Sequence, residues 1–169
     1  MKVIHVITDL ETGGAEIMLY KLLHSLRNNA IESLVISLME RGAITEQIEA
    51  LGVKVETLGL GQGEYPGWHA IKKLKHIVRA FNPDILQGWM YHGNIATTVA
   101  VFLLGPMRRT VRLFWNVRQT LYDIDSEKTQ TRWLIVLGRW LSFFPHSIIY
   151  NSNLSAEQHC NVGYLSKKT

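Results

Sequence analysis

Cysteine is nearly absent from this sequence: Cys160 is the only one in 169 residues. A disulfide framework is therefore excluded, and the seven scattered histidines leave no zinc-ligand spacing. His69 and His76 fall near one helical face but two turns apart, which is poor spacing for a shared ligand. Low cysteine content fits a reducing compartment. Long apolar runs are also missing. The longest, Trp133 to Pro145, is broken by Gly138 and Arg139 and falls short of the roughly 18 residues that suggest a membrane-spanning helix. The first residues, MKVIHVITDLETGG, turn polar at Asp9 and Glu11, which reads as a buried first strand rather than a signal peptide. These absences predict a soluble, cytoplasmic protein. Internal repeats, low-complexity tracts, a Gly-x-Ser-x-Gly elbow and a Walker A loop are missing as well.

What is present is enough for one packed domain. Hydrophobic residues make up 47% of the chain and charged residues 19%, so general disorder is excluded. Eighteen Lys and Arg against fourteen Asp and Glu leave a net charge of +4. That excess is modest for a nucleic-acid binder but suits an anionic partner such as a phosphate, a nucleotide or an acidic lipid.

The period of the apolar residues switches repeatedly between strand and helix. Strands are predicted at Val3–Thr8, Leu34–Leu38, Val53–Leu58, Asp84–Gly88, Thr110–Trp115 and Ser147–Tyr150. Between them, apolar residues recur at helical spacing over 15–28, 44–51, 71–81, 94–104 and 127–143, and a last helix covers 155–162. The helix over 71–81 stops at Asn82-Pro83, because proline disfavours helical geometry in the residue before it. Six strands alternating with helices predict a Rossmann-like, doubly wound, mostly parallel α/β sheet filling residues 1–169 as one domain. Ligands in such sheets bind beyond the carboxyl ends of the strands. That rule directs attention to loops 9–14, 59–67, 89–94, 116–125 and 151–154.

In the first loop, Gly13 and Gly14 stand at the mouth of a helix, where backbone amides can approach an anion; a tight turn that needs glycine is the competing reading. Gly59-Leu60-Gly61-Gln62-Gly63-Glu64 has Glu64 where a dinucleotide fingerprint needs glycine, and reads as a flexible loop. His92, with Tyr91 and Asn94 as polar neighbours, follows strand four, where an imidazole can meet a sugar hydroxyl, a phosphate or a structural partner. Asn116 and Arg118 follow strand five, and Arg118 suits either a bidentate clamp on a carboxylate or phosphate or a surface salt bridge. Asn151-Ser152-Asn153 reads as a cap for the helix that holds His159. Two basic elements remain, one with Lys72, Lys73, Lys75, His76 and Arg79 on a helix, the other with Arg108, Arg109 and Arg112. Each is either a solvated face or a docking face for anionic lipid.

Taken in order, these segments resemble the amino-terminal domain of the family-four, GT-B glycosyltransferases. HVITDLETGGAEIMLYKLL is similar to the family's first strand, glycine loop and helix. QGWMYHGNIAT, WNVRQT and YNSNLSAEQHCNVGY resemble its later strand-to-helix segments, so the likeness runs along essentially the whole chain. The resemblance implies two Rossmann-like domains facing across a cleft, the amino-terminal one binding the acceptor and the other gripping a nucleotide-sugar. Carried over by motif position, Gly13 and Gly14 approach the donor diphosphate and His92 acts at the transferred sugar. Tyr91, Asn94, Asn116 and Arg118 fall on the acceptor side. Transfer retains the anomeric configuration and needs no metal or bound cofactor. The acceptor it implies is a glycan or lipid-linked sugar of a bacterial-type envelope, with Lys72, Lys73, Lys75 and Arg79 touching the membrane surface. The family's Glu-x7-Glu element belongs to the carboxyl-terminal domain; no pair of glutamates here has that spacing in a comparable context, so that domain is expected to lie outside this chain. The expectation is thus the acceptor half of a transferase, inactive without its donor-binding partner. The competing expectations are a non-catalytic anion-binding module and a membrane-surface adaptor.

Overall fold

The computed structural model describes residues 1–64, 66–106, 110–124 and 127–165. Six parallel strands, β1 (Lys2–Ile7), β2 (Glu32–Met39), β3 (Lys54–Leu60), β4 (Ile85–Trp89), β5 (Arg112–Val117) and β6 (Ser147–Tyr150), form one sheet in the order β3-β2-β1-β4-β5-β6. Among the described residues six α-helices connect or follow them: α1 (Gly14–Leu26), α2 (Thr45–Glu49), α3 (Trp68–Phe81), α4 (Met90–Leu103), α5 (Thr129–Leu141) and α6 (Asn153–Asn161). This is the doubly wound sheet that the alternating periods predict.

The central strands β1, β2 and β4 are buried on both sides, so their two alternating rows of side chains feed two cores. Ile4, Val6, Ile36, Leu86 and Leu113 pack with Leu74, Val78, Ala100 and Ile135 from α3, α4 and α5. Ile7, Val35 and Val55 pack with Leu19, Leu23 and Ile48 from α1 and α2 on the opposite face. The chain order reverses direction between β1 and β4, so the helices that leave these neighbouring strands go to opposite faces. A crevice opens between them at the carboxyl edge of the sheet.

Two boundaries differ from the sequence reading in ways that matter. β5 runs on to Val117, so Asn116 is a buried strand residue paired with Trp89 rather than part of a loop. The segment 89–94 is also not a loop. β4 ends at Trp89 and α4 starts at Met90, with the turn made by Met90 alone in the left-handed region at φ 60°. Two glycines allow so abrupt a turn. A Cβ on Gly93 would overlap the Val6 carbonyl, and one on Gly88 would come within 2.5 Å of the Asn94 Cα. The segment 107–109, which holds Arg108 and Arg109, and residues 166–169 lie outside the described residues. Among the described residues no helix is long and apolar enough to cross a membrane.

Candidate functional site

A cleft of about 470 Å³ opens at the crevice between β1 and β4. Asp9, Glu11, Thr12, Gly13, Gly14 and Glu16 form one wall, Met90 part of the floor, and Arg118, Gln119 and Asn151 the other wall. The first wall is the β1–α1 loop, where the Asp9 carboxylate accepts a 3.0 Å hydrogen bond from the Glu11 amide. Gly13 is the residue before α1, extended at φ −151° and without a side-chain cap of its own. The Glu16 carboxyl group folds back against Gly13 instead, close to the Ala15 and Glu16 amides. Burial pushes the Glu16 carboxyl above its ordinary range, and the negative charge of Asp9 adds to the push. A carboxyl group of the chain itself therefore stands at the positive end of α1. Gly14 has open space where a Cβ would stand, so a ligand can approach its backbone closely.

The opposite wall is held by the β6–α6 segment. Asn151 Nδ2 donates to the Arg118 carbonyl at 3.3 Å, Ser155 Oγ donates to the Gln119 carbonyl at 2.6 Å, and the Leu121 amide donates to Gln158 Oε1 at 2.9 Å. These bonds fix the backbone beneath the half-buried Arg118, the one cation lining the cleft among the described residues. Ser152 caps α6 by accepting from the Ser155 amide at 3.1 Å, as the sequence suggests. Asn151 has a second role that its neighbours concealed.

His92 lies in the first turn of α4, not in a loop. Its ring keeps solvent access, yet crowding by the surrounding chain lowers its pKa, an effect partly opposed by the Asp9 carboxylate. The imidazole is thus biased towards the neutral form and stands near the acidic wall.

Three residues expected on the acceptor side turn inward instead. Tyr91 is buried and its hydroxyl lies 2.7 Å from His159 Nε2. His159 Nδ1 lies 2.7 Å from the Ser155 carbonyl, so that nitrogen carries the proton and Nε2 accepts from the tyrosine. Burial lowers the His159 pKa and raises that of Tyr91, which keeps both neutral and the bond intact. Asn94 is buried, and its Oδ1 accepts from the Asn116 amide at 3.2 Å. Its carbonyl accepts from Thr98 Oγ1, which in turn accepts from Trp115 Nε1 at 3.1 Å. Asn116 is buried beneath this array. Tyr91, Asn94 and Asn116 therefore brace the floor of the cleft and do not line it: the abrupt β4–α4 turn rotates Tyr91 and Asn94 into the core, and Asn116 is a buried residue of β5.

The structure brings together Gly13, Gly14 and Arg118, places His92 nearby, and adds Asp9, Glu11, Glu16, Gln119 and Asn151. Glu16 had a readable signal, an acidic residue in the first turn of a helix without a capping side chain. Asn151 and Gln119 were marked only by lying in loops beyond strand ends, and their facing across the cleft follows from the sheet order. Among the described residues no group of three or more His, Cys, Asp or Glu is placed to hold a metal ion.

Comparisons with known proteins agree with this fold. Across 99% of its length the chain matches 42% of the Anabaena protein HepE, solved in complex with UDP and glucose, with TM-score 0.73 and 19% identity. It also matches, over 98% of its length, 43% of the UDP-GlcNAc 2-epimerase from Methanocaldococcus jannaschii, with TM-score 0.61 and 12% identity. The chain thus spans about two-fifths of each of these proteins, and the likeness extends to the fold. No curated protein matches the sequence. The sequence profile described as Glycosyltransferase Family 4 matches residues 12–169, and the chain belongs to that family.

Proposed function

We propose that this chain is the acceptor-side half of a retaining glycosyltransferase that moves a hexose from a nucleotide-sugar to a glycan or lipid-linked sugar. A second Rossmann-like domain across the cleft would grip the donor. The observation that carries the reading is the chemistry of the cleft at the sheet's switch point. Asp9 and Glu11 offer acceptor oxygens for sugar hydroxyls, and Arg118 on the far wall offers donors for a hydroxyl, carboxylate or phosphate. The UDP and glucose held by the Anabaena protein make a nucleotide-sugar the natural donor class.

Within this reading Gly13 and Gly14 let the donor diphosphate approach the α1 amides. The Glu16 carboxyl group stands against this helix end, so the diphosphate must displace it or share the site with it. His92 faces the transferred sugar as a neutral imidazole. Arg118 orients the acceptor, with its backbone held by Asn151. Transfer uses no metal or bound cofactor, and the chain is inactive without the donor-binding domain.

The test is kinetic. In the assembled two-domain enzyme, Arg118→Ala and His92→Ala should each lower kcat/KM for transfer by about tenfold or more, in the range of a lost positioned polar group, with unchanged melting temperature. Normal transfer by both variants would overturn the site assignment.

A further inference from the structure

Helix α5 carries apolar side chains on two sides. Ile135 and Gly138 are buried towards the sheet, with Leu134 and Leu141 half-buried beside them. The core therefore explains one face. On the other, Trp133 is 68% exposed, Trp140 66%, Leu137 44% and Val136 41%. Trp133, Leu137 and Trp140 follow the i, i+4, i+7 spacing that places them in one stripe. Just past the helix, Phe143 and Phe144 are also exposed, and the Phe144 ring meets that of Phe102 from α4 edge-on at 4.6 Å. A contiguous aromatic surface of this kind signals a docking face.

Its charge identifies what docks. Lys128, Arg132 and Arg139 flank the stripe, and residues 128–156 contain no Asp or Glu. The Arg139 guanidinium lies 5.6 Å from the Trp140 ring centre, a cation stacked on an aromatic. A second copy meeting this face through a two-fold axis would set cations against cations. An anionic lipid surface satisfies both features at once. Tryptophan and phenylalanine settle at the boundary between headgroups and acyl chains, while Arg and Lys pair with lipid phosphates. Thirteen residues make a helix about 20 Å long, suited to lying in the interface plane.

We propose that α5, extended by Phe143 and Phe144 and joined by Phe102, is a membrane-docking face for anionic bilayers. This places the insertion surface on a different helix from α3, whose basic residues the sequence singled out. On α3, Lys72, Lys73, Lys75 and Arg79 carry charge, but Trp68 is the one large apolar side chain exposed, with Lys72 lying over its ring at 5.2 Å. That helix attracts an anionic surface without apolar material to anchor in it. Because α3, α4 and α5 cover the same face of the sheet, α3 assists the approach while α5 inserts. Docking here requires no transfer chemistry and stands apart from the acceptor assignment.

The experiment is vesicle sedimentation of the full chain at low salt, comparing phosphatidylcholine vesicles with vesicles that also contain phosphatidylglycerol. Binding should need the anionic lipid, and the double variant Trp133→Ser/Trp140→Ser should weaken it at least tenfold. Reversing the charges of Lys72, Lys73 and Lys75 to Glu should weaken it less. Because both tryptophans are largely exposed, the double variant should keep the parent's melting temperature. Independently of any variant, brominated phospholipid should quench part of the parent's tryptophan emission. No binding at low salt, no quenching, equal binding by the tryptophan variant, or a larger loss on charge reversal at α3 would each overturn the proposal.

Discussion

Two strand-to-helix joints stand side by side at the carboxyl edge of the sheet, and both are rich in glycine. From β1 the chain wanders through residues 8–13 before α1 begins at Gly14, and Gly14 has open space around it. From β4 it passes into α4 without a spare residue, and Gly88 and Gly93 are pressed against backbone atoms. The same residue type serves access in one joint and contact in the other. The slack joint makes a cleft wall lined with polar atoms. The tight joint makes a floor in which Tyr91, Asn94 and Asn116 are bonded to one another's surroundings and withdrawn from solvent. A site is built where one joint is loose and its neighbour is fixed.

Acid should break the tight joint first. His5 lies beneath it, accepting from Trp89 Nε1 at 3.3 Å, and burial pulls its pKa down to about 4 despite the polar side chain of Gln87 nearby. His159 is lowered as well, and its bond to Tyr91 requires a neutral ring. Both groups bind a proton in the unfolded chain near pH 6.5 but resist it in the fold. The unfolded state therefore holds more protons below pH 6.5. Stability should be complete above that value and fall as the pH drops towards 4, with His5 alone accounting for about 3 kcal/mol. Chemical denaturation at several pH values checks this, and His5→Gln should flatten the slope in that window.

Next in size is Gly93→Ala, which forces a Cβ against the Val6 carbonyl. Backbone is an unyielding neighbour, so the cost should reach about 3 kcal/mol. At this chain length that is a fall of roughly 6–12 °C in Tm by calorimetry. Asn94→Ala should cost less, about 1–3 kcal/mol, because it leaves the buried Asn116 amide without its acceptor. The smallest effect belongs to the loose joint and has the opposite sign. Gly14→Ala meets no neighbour and removes unfolded-state freedom, so it should stabilise the chain by about 0.4–1 kcal/mol. In the assembled enzyme the same methyl should raise the KM for the nucleotide-sugar, if Gly14 is where the diphosphate approaches. A destabilising Gly14→Ala together with a neutral Gly93→Ala would dissolve the distinction between the joints.

The fold was legible because its signals are local. β-Branched runs such as Val3–Thr8 and helical stripes such as Leu19, Leu22, Leu23 and Leu26 mark their own elements, and their alternation implies a parallel sheet. The glycine loop and Arg118 were legible for the same reason, since each directly follows a strand. The tight β4–α4 joint was not. Its cause is a Met in the left-handed region and two glycines whose partners, Val6 and Asn94, are set by packing. The sequence reading therefore placed Tyr91, Asn94 and His92 together in a loop, where helix geometry separates one exposed residue from two buried ones. Asn151 and Gln119 lay in loops that the strand-end rule picks out, but their meeting around Arg118 was hidden by distance along the chain. The aromatic stripe of α5 read as an interrupted apolar run, because its outward face is a property of the helix as placed on the sheet.

The most direct measurement is an amide NMR titration of the chain with a nucleotide-sugar such as UDP-glucose, carried to millimolar concentration. The account predicts weak shifts gathered on the loose joint, at Gly13, Gly14, Ala15 and Glu16, where the donor diphosphate approaches, with the α4 amides beyond His92 unmoved. Shifts centred elsewhere on the molecule, or no response from the cleft amides at saturating ligand, would contradict it.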